Sequence, residues 1–327
     1  MNKLMTVQAV TDLINQGTPL SLAGPESALK QLPAGNWIAG TIPYFMDSDI
    51  CLTATEGKVF ATDLSAIGSV RFASYAADEL AGIAANAPTN GFSLTIIPAG
   101  GKAHQNFAAD AASYPGAFLK PTVGWISGVH LSELGRLTPK VVDGRTRSVY
   151  EDRAMVAYVT LPAEKMASVE IVNLFEPGSG DVLHFPETSF EVKNCEVNGR
   201  RVNFAAYVKG LKLEDCHLPL VGDFAGAHVN VSMQRVDVEN GNVVLYAPVF
   251  PGVDYRFAKP VPDYAAAFRQ KLSAQDFSNT VISCNCILNF LFGELEGKTI
   301  GGIGGPITFG EIAYQLLNQT VVMVRVI

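Results

Sequence analysis

Residues 281–327 read VISCNCILNFLFGELEGKTIGGIGGPITFGEIAYQLLNQTVVMVRVI and combine two cysteines, a glycine cluster and a terminal apolar run. The glycines at 301–305 predict a bend that needs a backbone free to adopt positive φ. Beyond the bend, Glu311 stands between aromatic and apolar neighbours, where a carboxylate needs donors from the protein or from a ligand. We therefore expect the binding site of the protein in this tail.

The tail presents short motifs in a fixed order: Ser283-Cys284, the glycine turn, Thr308-Phe309-Gly310-Glu311-Ile312 and Asn318-Gln319-Thr320 before a final strand. This order resembles the C-terminal half of FIST domains, sensory modules of bacterial signalling proteins and of a eukaryotic F-box protein. The resemblance implies a non-catalytic module that binds a small polar metabolite, amino acids among the candidates. FIST domains usually place an arginine after the Ser-Cys pair, whereas this chain has Ile287 and Leu288, which leaves the ligand class open.

The residues that we predict to bind the ligand are Cys284, Thr308, Gly310, Glu311 and Asn318. Glu311 has two interpretations: its carboxylate accepts from turn amides, as at the first residues of a helix, or it binds a polar ligand group such as an amine. Cys284 and Cys286 share one face of a predicted strand. They are either small apolar core residues or ligand-facing thiols.

Two other functions stay open. A hydrolase or acyl-transfer enzyme could use Cys284 or Glu311, but a nucleophile needs a nearby base, and the five histidines are isolated in sequence. A self-associating structural protein would fit the composition, because hydrophobic residues make up 48% and charged residues only 17% of the chain. Such a composition predicts a large core, an apolar interface, or both.

Composition and motif spacing also exclude several partners. A net charge of −7 argues against binding to a nucleic-acid backbone, which needs a basic face. Gly297-Lys298-Thr299 lacks the spacing of a phosphate loop, and Cys284-Asn285-Cys286 lacks zinc-ligand spacing, so we expect no cofactor and no metal. The five scattered cysteines, the absence of a signal peptide and the absence of an apolar run of about 18 residues predict a cytoplasmic protein without a membrane span. Its expected partners are a small-molecule ligand, an unidentified signalling partner and further copies of itself.

Turn signals divide the chain. Pro177-Gly178-Ser179-Gly180 is typical of a linker and separates a FIST N-terminal-like half, residues 1–176, from a C-terminal-like half, residues 181–327. Asn198-Gly199, Asn240-Gly241 and Glu56-Gly57 each predict a β-hairpin turn. Gly100-Gly101, between a buried strand and a helix, is interpreted as a plain β–α turn. The expected fold is α/β or α+β: two mixed halves with largely antiparallel sheets covered by helices, packed into one compact body.

Overall fold

Short strands rich in β-branched residues make up most of the molecule. A computed structural model describes residues 2–47, 50–54, 56–214 and 217–327. The last strand, Thr320–Val326, reads TVVMVRV, and its first five residues are buried, as expected for a strand covered on both faces. The first helix, Val7–Asn15, begins where Thr6 Oγ1 accepts the Ala9 N–H at 3.2 Å. Local sequence therefore explains both kinds of element.

The described residues form these strands and helices. The first strands are β1 Asn2–Thr6, β2 Leu20–Gly24, β3 Trp37–Thr41, β4 Tyr44–Asp47, β5 Ile50–Thr53, β6 Lys58–Asp63, β7 Ser69–Ala76, β8 Gly91–Pro98, β9 Thr122–Ser127, β10 Val141–Asp143, β11 Ser148–Tyr150, β12 Arg153–Thr160 and β13 Ala167–Asn173. The later strands are β14 Leu183–His184, β15 Ser189–Val192, β16 Asn194–Val197, β17 Arg200–Asn203, β18 Leu220–Phe224, β19 Ala227–Val231, β20 Met233–Asp237, β21 Asn242–Val249, β22 Asp254–Phe257, β23 Thr280–Cys286, β24 Gly305–Thr308, β25 Glu311–Ala313, β26 Gln315–Leu317 and β27 Thr320–Val326. The α-helices are α1 Val7–Asn15, α2 Glu26–Leu29, α3 Gly82–Ala85, α4 Lys102–Asp110, α5 Phe204–Gly210, α6 Tyr264–Ser273 and α7 Ile287–Phe292, with 3₁₀ helices at Ala111–Ser113 and Leu131–Glu133.

The strands of the described ranges form five sheets. Their orders are sheet I, β1-β6-β2-β3-β10-β11; sheet II, β26-β25-β9-β8-β12-β7; sheet III, β13-β27-β23-β24-β4-β5; sheet IV, β17-β16-β14-β22-β18-β19; and sheet V, β15-β21-β20. Within the described ranges, three neighbouring strand pairs are parallel, β2–β3, β8–β9 and β23–β24, and the other pairs are antiparallel. Mixed and antiparallel sheets with covering helices confirm the expected α+β class.

Sheets I, II and III pack around one continuous core, to which Ile38, Ile96 and Val322 contribute. At the contact between sheets I and II, a Cβ on Gly40 would lie 2.5 Å from the Trp125 ring and 2.6 Å from an Ile96 methyl carbon. The two sheets therefore approach closely only because position 40 has no side chain. This approach brings the carboxyl ends of β3 and β9 together.

Long-range pairing agrees with some of the predicted turns. Asn198-Gly199 joins β16 to β17, and Asn240-Gly241 lies between β20 and β21, so both hairpins are confirmed. The hairpin predicted at Glu56-Gly57 is wrong, because β5 pairs with β4 whereas β6 pairs with β1 and β2. Thr55, which that prediction included, lies outside the described residues.

The division of the chain into two halves at residues 176–181 stays a prediction. Sheets II and III take strands from both sides of this division.

Replacing Gly40 with alanine tests the packing between sheets I and II. We expect the Gly40→Ala variant to lose about 1–3 kcal/mol of unfolding free energy, because the added methyl group overlaps the buried Trp125 ring. Urea denaturation measures the loss. Gly180→Ala is the matched control, since a Cβ there meets open space. Equal unfolding midpoints for the two variants would contradict the packing described.

Candidate functional site

The C-terminal polar cluster lies inside the core. Glu311 begins β25, between β9 and β26, and its side chain is fully buried. Its Oε2 accepts from Thr320 Oγ1 at 2.8 Å and from Thr320 N at 3.3 Å, and its Oε1 lies 3.2 Å from Thr308 Oγ1. The donors that a carboxyl group needs therefore come from β24 and β27 of the protein itself.

Glu311 is a neutral acid in this setting. Burial raises its pKa to about 8, although the hydrogen bonds from Thr320 and Thr308 oppose the rise. Thr308 Oγ1 donates to Oε1 of the ionised carboxylate. In the neutral form the Glu311 O–H can donate to Thr308 Oγ1 instead, because the Thr308 hydroxyl proton then has an acceptor in the Gly310 carbonyl at 3.0 Å. A protonated Glu311 thus satisfies its neighbours without a ligand.

Cys284 and Asn318 have other partners. Cys284 Sγ lies 3.3 Å from the Gly124 carbonyl, and burial raises the pKa of the thiol well above its ordinary value. A buried protonated thiol is a poor nucleophile, so these surroundings do not favour an enzyme that uses Cys284, and that alternative stays a prediction. Asn318 Oδ1 accepts from Ser232 N at 3.0 Å and from Ser232 Oγ at 2.6 Å, so it joins the tail to β19 and β20. Cys216 lies outside the described residues.

The structure therefore brings three of the five predicted site residues, Thr308, Gly310 and Glu311, into direct contact and places Cys284 and Asn318 in separate contacts. All five are buried. The carboxyl group of Glu311 is enclosed by hydroxyl and amide groups of the protein. Ligand binding by these residues stays a prediction, and their burial gives it no support.

A cavity of about 700 Å³ opens elsewhere, at the carboxyl ends of β2, β3 and β9. Its apolar wall is formed by Pro25, Ile42, Pro43, Val129 and Leu137, and its polar lining includes Glu26, Ser27, Lys30, Thr41, His130, Ser132, Glu133 and Thr138. The parallel pairing of β2 with β3 places both strand ends at the same edge. In α/β sheets, ligands bind outside the carboxyl ends of strands, and ligand cavities have about this volume.

Main-chain hydrogen bonds fix the floor of this cavity. Gly128 N donates to the Thr41 carbonyl at 2.7 Å, which joins the end of β9 to the end of β3. Thr41 N donates to the Lys140 carbonyl at 2.9 Å, and Lys140 N donates to Thr41 Oγ1 at 2.9 Å. The same Lys140 carbonyl accepts from Ser127 Oγ at 3.0 Å. The floor is therefore held by a closed set of bonds between two sheets.

A charged cluster forms one side of the cavity. Glu26 accepts from Lys140 Nζ at 2.8 Å and from Lys30 Nζ at 2.6 Å. Burial alone would raise the pKa of Glu26, but the hydrogen bonds from the two lysines lower it below its ordinary value. Glu26 is thus an ionised carboxylate whose two oxygens are already engaged.

The loop from Val129 to Lys140 forms the opposite side. The His130 ring stacks on the Tyr44 ring with centroids 5.6 Å apart, and Leu131 N donates to Tyr44 Oη at 2.9 Å. His130 Nδ1 lies 2.7 Å from Ser132 Oγ and accepts from Ser132 N at 3.3 Å. Packing on β4 therefore holds the first residues of this loop against the cavity.

A second cavity of about 560 Å³ lies beside the start of α4, and Leu137 and Thr138 line both cavities. Asp152 Oδ1 accepts the Ala103 N–H at 2.6 Å and so supplies a protein carboxylate at the first turn of α4. The interpretation of Gly100-Gly101 as a plain β–α turn agrees with this contact, because the Ala103 N–H at the start of α4 already has a protein acceptor.

The larger cavity was not predicted from the sequence. The available signal was that three buried strands end at Gly24, Thr41 and Ser127 and are followed by proline, isoleucine and glycine. Nothing in the local sequence relates these three ends to one another. Two long-range features bring these ends together at one site: the parallel pairing of β2 with β3 and the contact between sheets I and II. They involve residues up to about a hundred positions apart.

Together the fold and the larger cavity define an α+β protein with a mainly apolar cavity at the ends of its strands. The chain belongs to DUF6976, a family of unknown function whose model matches residues 5–327. No curated protein matches the chain. The family match does not bear on the resemblance to FIST domains, which stays a prediction.

The described ranges of the chain also lack two kinds of feature. None of the helices there has the length and apolar character needed to cross a membrane. In the same ranges, no group of three or more histidine, cysteine, aspartate or glutamate side chains is arranged to hold a metal ion.

Replacing Glu311 with glutamine tests the neutral state of its carboxyl group. Between the ordinary pKa of 4.5 and the folded value of about 8, the unfolded chain releases a proton that the folded protein keeps. Wild-type stability should therefore fall as pH rises through this window, by at most about 1.4 kcal/mol for each unit of pKa difference. The Glu311→Gln variant cannot titrate at this position, so its stability should fall less over the same pH window. Denaturation at pH 5 and pH 8 gives the change in unfolding free energy for each protein.

Glutamine preserves the contacts of the neutral acid, because its amide can donate to Thr308 and accept from Thr320. The control is Glu187→Gln at an exposed glutamate, whose stability should follow that of the wild type at both pH values. If Glu311→Gln and wild type lost stability in parallel between pH 5 and pH 8, Glu311 would be ionised in the folded protein.

Proposed function

We propose that the protein is a non-catalytic small-molecule-binding protein and that its ligand occupies the 700 Å³ cavity at the ends of β2, β3 and β9. The observation that carries this proposal is the combination of a cavity of ligand size, an apolar wall and a floor fixed by main-chain bonds. A preformed apolar cavity with a few placed polar groups is the usual form of a small-molecule site.

The polar groups at the cavity favour binding over catalysis. Glu26 is held between Lys30 and Lys140, and Glu133 accepts from Arg136 at 2.6 Å. Ser132 Oγ contacts His130, but within the described ranges no carboxylate hydrogen-bonds the other nitrogen of that ring. A serine nucleophile needs a base that a third group orients, so this pair lacks part of the usual arrangement.

The proposal keeps the sensory role that the FIST resemblance implies and assigns it to a different site. An apolar cavity favours a ligand with an apolar body over a fully polar metabolite.

We further propose a cytoplasmic location, consistent with the scattered cysteines, and a separate signalling partner that binds the liganded state. Self-association stays a prediction; the neighbouring Phe118 and Leu119, which are 60% and 85% exposed, would suit a contact between copies.

Filling the cavity with a bulky side chain tests the proposed site. The probe is phenylnaphthylamine, a neutral apolar dye that fluoresces in apolar surroundings. Thr138 is exposed at the cavity rim, so the Thr138→Trp variant should fold normally. We expect this variant to bind the dye at least about tenfold more weakly than the wild type, because the indole occupies the space of the dye.

The matched control is Thr188→Trp, at an exposed threonine far along the chain on the approach to β15. Its dye affinity should equal that of the wild type. Equal affinities for Thr138→Trp and Thr188→Trp would place the dye outside the cavity and contradict the proposal.

A further inference from the structure

His130 is held at the cavity in one orientation and one tautomer. Its ring lies on Tyr44, and its Nδ1 accepts the Ser132 N–H at 3.3 Å with Ser132 Oγ at 2.7 Å. Because Nδ1 is an acceptor, the proton of the neutral imidazole is on Nε2. Among the described residues, none provides a hydrogen-bond acceptor for that Nε2–H. His130 is half-buried and lines the cavity, so one lining residue has a ring donor without a protein acceptor.

The other polar groups of the lining have partners or lie in water. Thr41 Oγ1 accepts from Lys140 N at 2.9 Å. Both oxygens of Glu26 accept from lysines, and Lys30 is itself 63% exposed. The hydroxyl groups of Ser27 and Thr138 belong to exposed residues at the rim. His130 Nε2–H is thus a donor of a half-buried lining residue that has no acceptor among the described residues and that a ligand can use.

We infer that the ligand is an apolar molecule carrying one oxygen acceptor group, a carboxylate, sulfonate or carbonyl, that His130 Nε2–H binds. The apolar body would lie against Ile42, Pro43, Val129 and Leu137. A donor near an apolar wall is left without a partner if the ligand lacks an acceptor, so His130 also selects between ligands. This inference rests on the proposed function, because it assigns a ligand class to the same cavity.

Two dyes with one ring system test the inference. Anilinonaphthalenesulfonate carries a sulfonate, whereas phenylnaphthylamine has the same rings without it. The His130→Phe variant keeps an aromatic ring on Tyr44 but removes both ring nitrogens. We expect this variant to bind the sulfonate dye about tenfold more weakly than the wild type does, with little change for phenylnaphthylamine, since one hydrogen bond to a charged group is lost.

His228→Phe is the matched control, because His228 is an exposed residue of β19 and does not line the cavity. Both dyes should bind this variant as they bind the wild type. Ser132→Ala serves as a second variant that keeps Nε2 while removing the hydroxyl beside Nδ1, and it should retain most of the preference for the sulfonate dye.

The outcomes separate the two proposals. If Thr138→Trp leaves phenylnaphthylamine binding unchanged, the cavity itself is not the binding site. If Thr138→Trp blocks both dyes but His130→Phe weakens both equally or neither, the cavity binds ligands and the role of His130 is overturned. A selective loss of the sulfonate dye in His130→Phe, with the control unchanged, supports the inference.

Discussion

The hydrogen bond from Gly128 N to the Thr41 carbonyl, 2.7 Å long, is the constraint on which the proposed site depends. It joins the carboxyl end of β9 in sheet II to that of β3 in sheet I, and the Lys140 carbonyl extends the link by accepting from Thr41 N and Ser127 Oγ. These contacts use mainly backbone groups. The floor of the cavity is therefore a property of the sheet arrangement, and the side chains above it determine what the cavity binds.

The molecule contains two polar clusters of different kinds. Around Glu311, the buried groups bond to one another, and the network continues through Asn289, whose Nδ2 donates to Asn285 Oδ1 at 2.9 Å and whose Oδ1 accepts from Tyr264 Oη at 2.5 Å. Such a network contributes to a unique core when its members are satisfied. Two buried amide donors of this cluster, Asn285 Nδ2 and Asn318 Nδ2, have no partner among the described residues. At the cavity, the donor without a protein acceptor belongs to His130, a half-buried residue that lines an open space. An unused donor beside a cavity is better evidence for a ligand than a chemically attractive but enclosed carboxyl group.

Sequence alone predicted what local geometry determines. Asn198-Gly199 adopts positive φ at both residues and joins β16 to β17, as its local turn chemistry predicts. The turn at Gly57 also has positive φ, yet the strand after it pairs with β1 and β2, because packing chooses strand partners at long range. Glu311 was correctly identified as a carboxyl group that needs donors. Its burial was not predictable, since those donors come from separate strands, and the cavity was missed because three distant strand ends form it.

The most direct test of the account is a crystal structure of the protein purified from its native host, without added ligand. The account predicts electron density for a bound molecule in the cavity beside Thr41 and Gly128, with an oxygen atom within hydrogen-bond distance of His130 Nε2. A bound molecule in contact with Glu311 or Cys284 instead, reached through a rearranged core, would contradict the assignment of the site and restore the tail as the binding element.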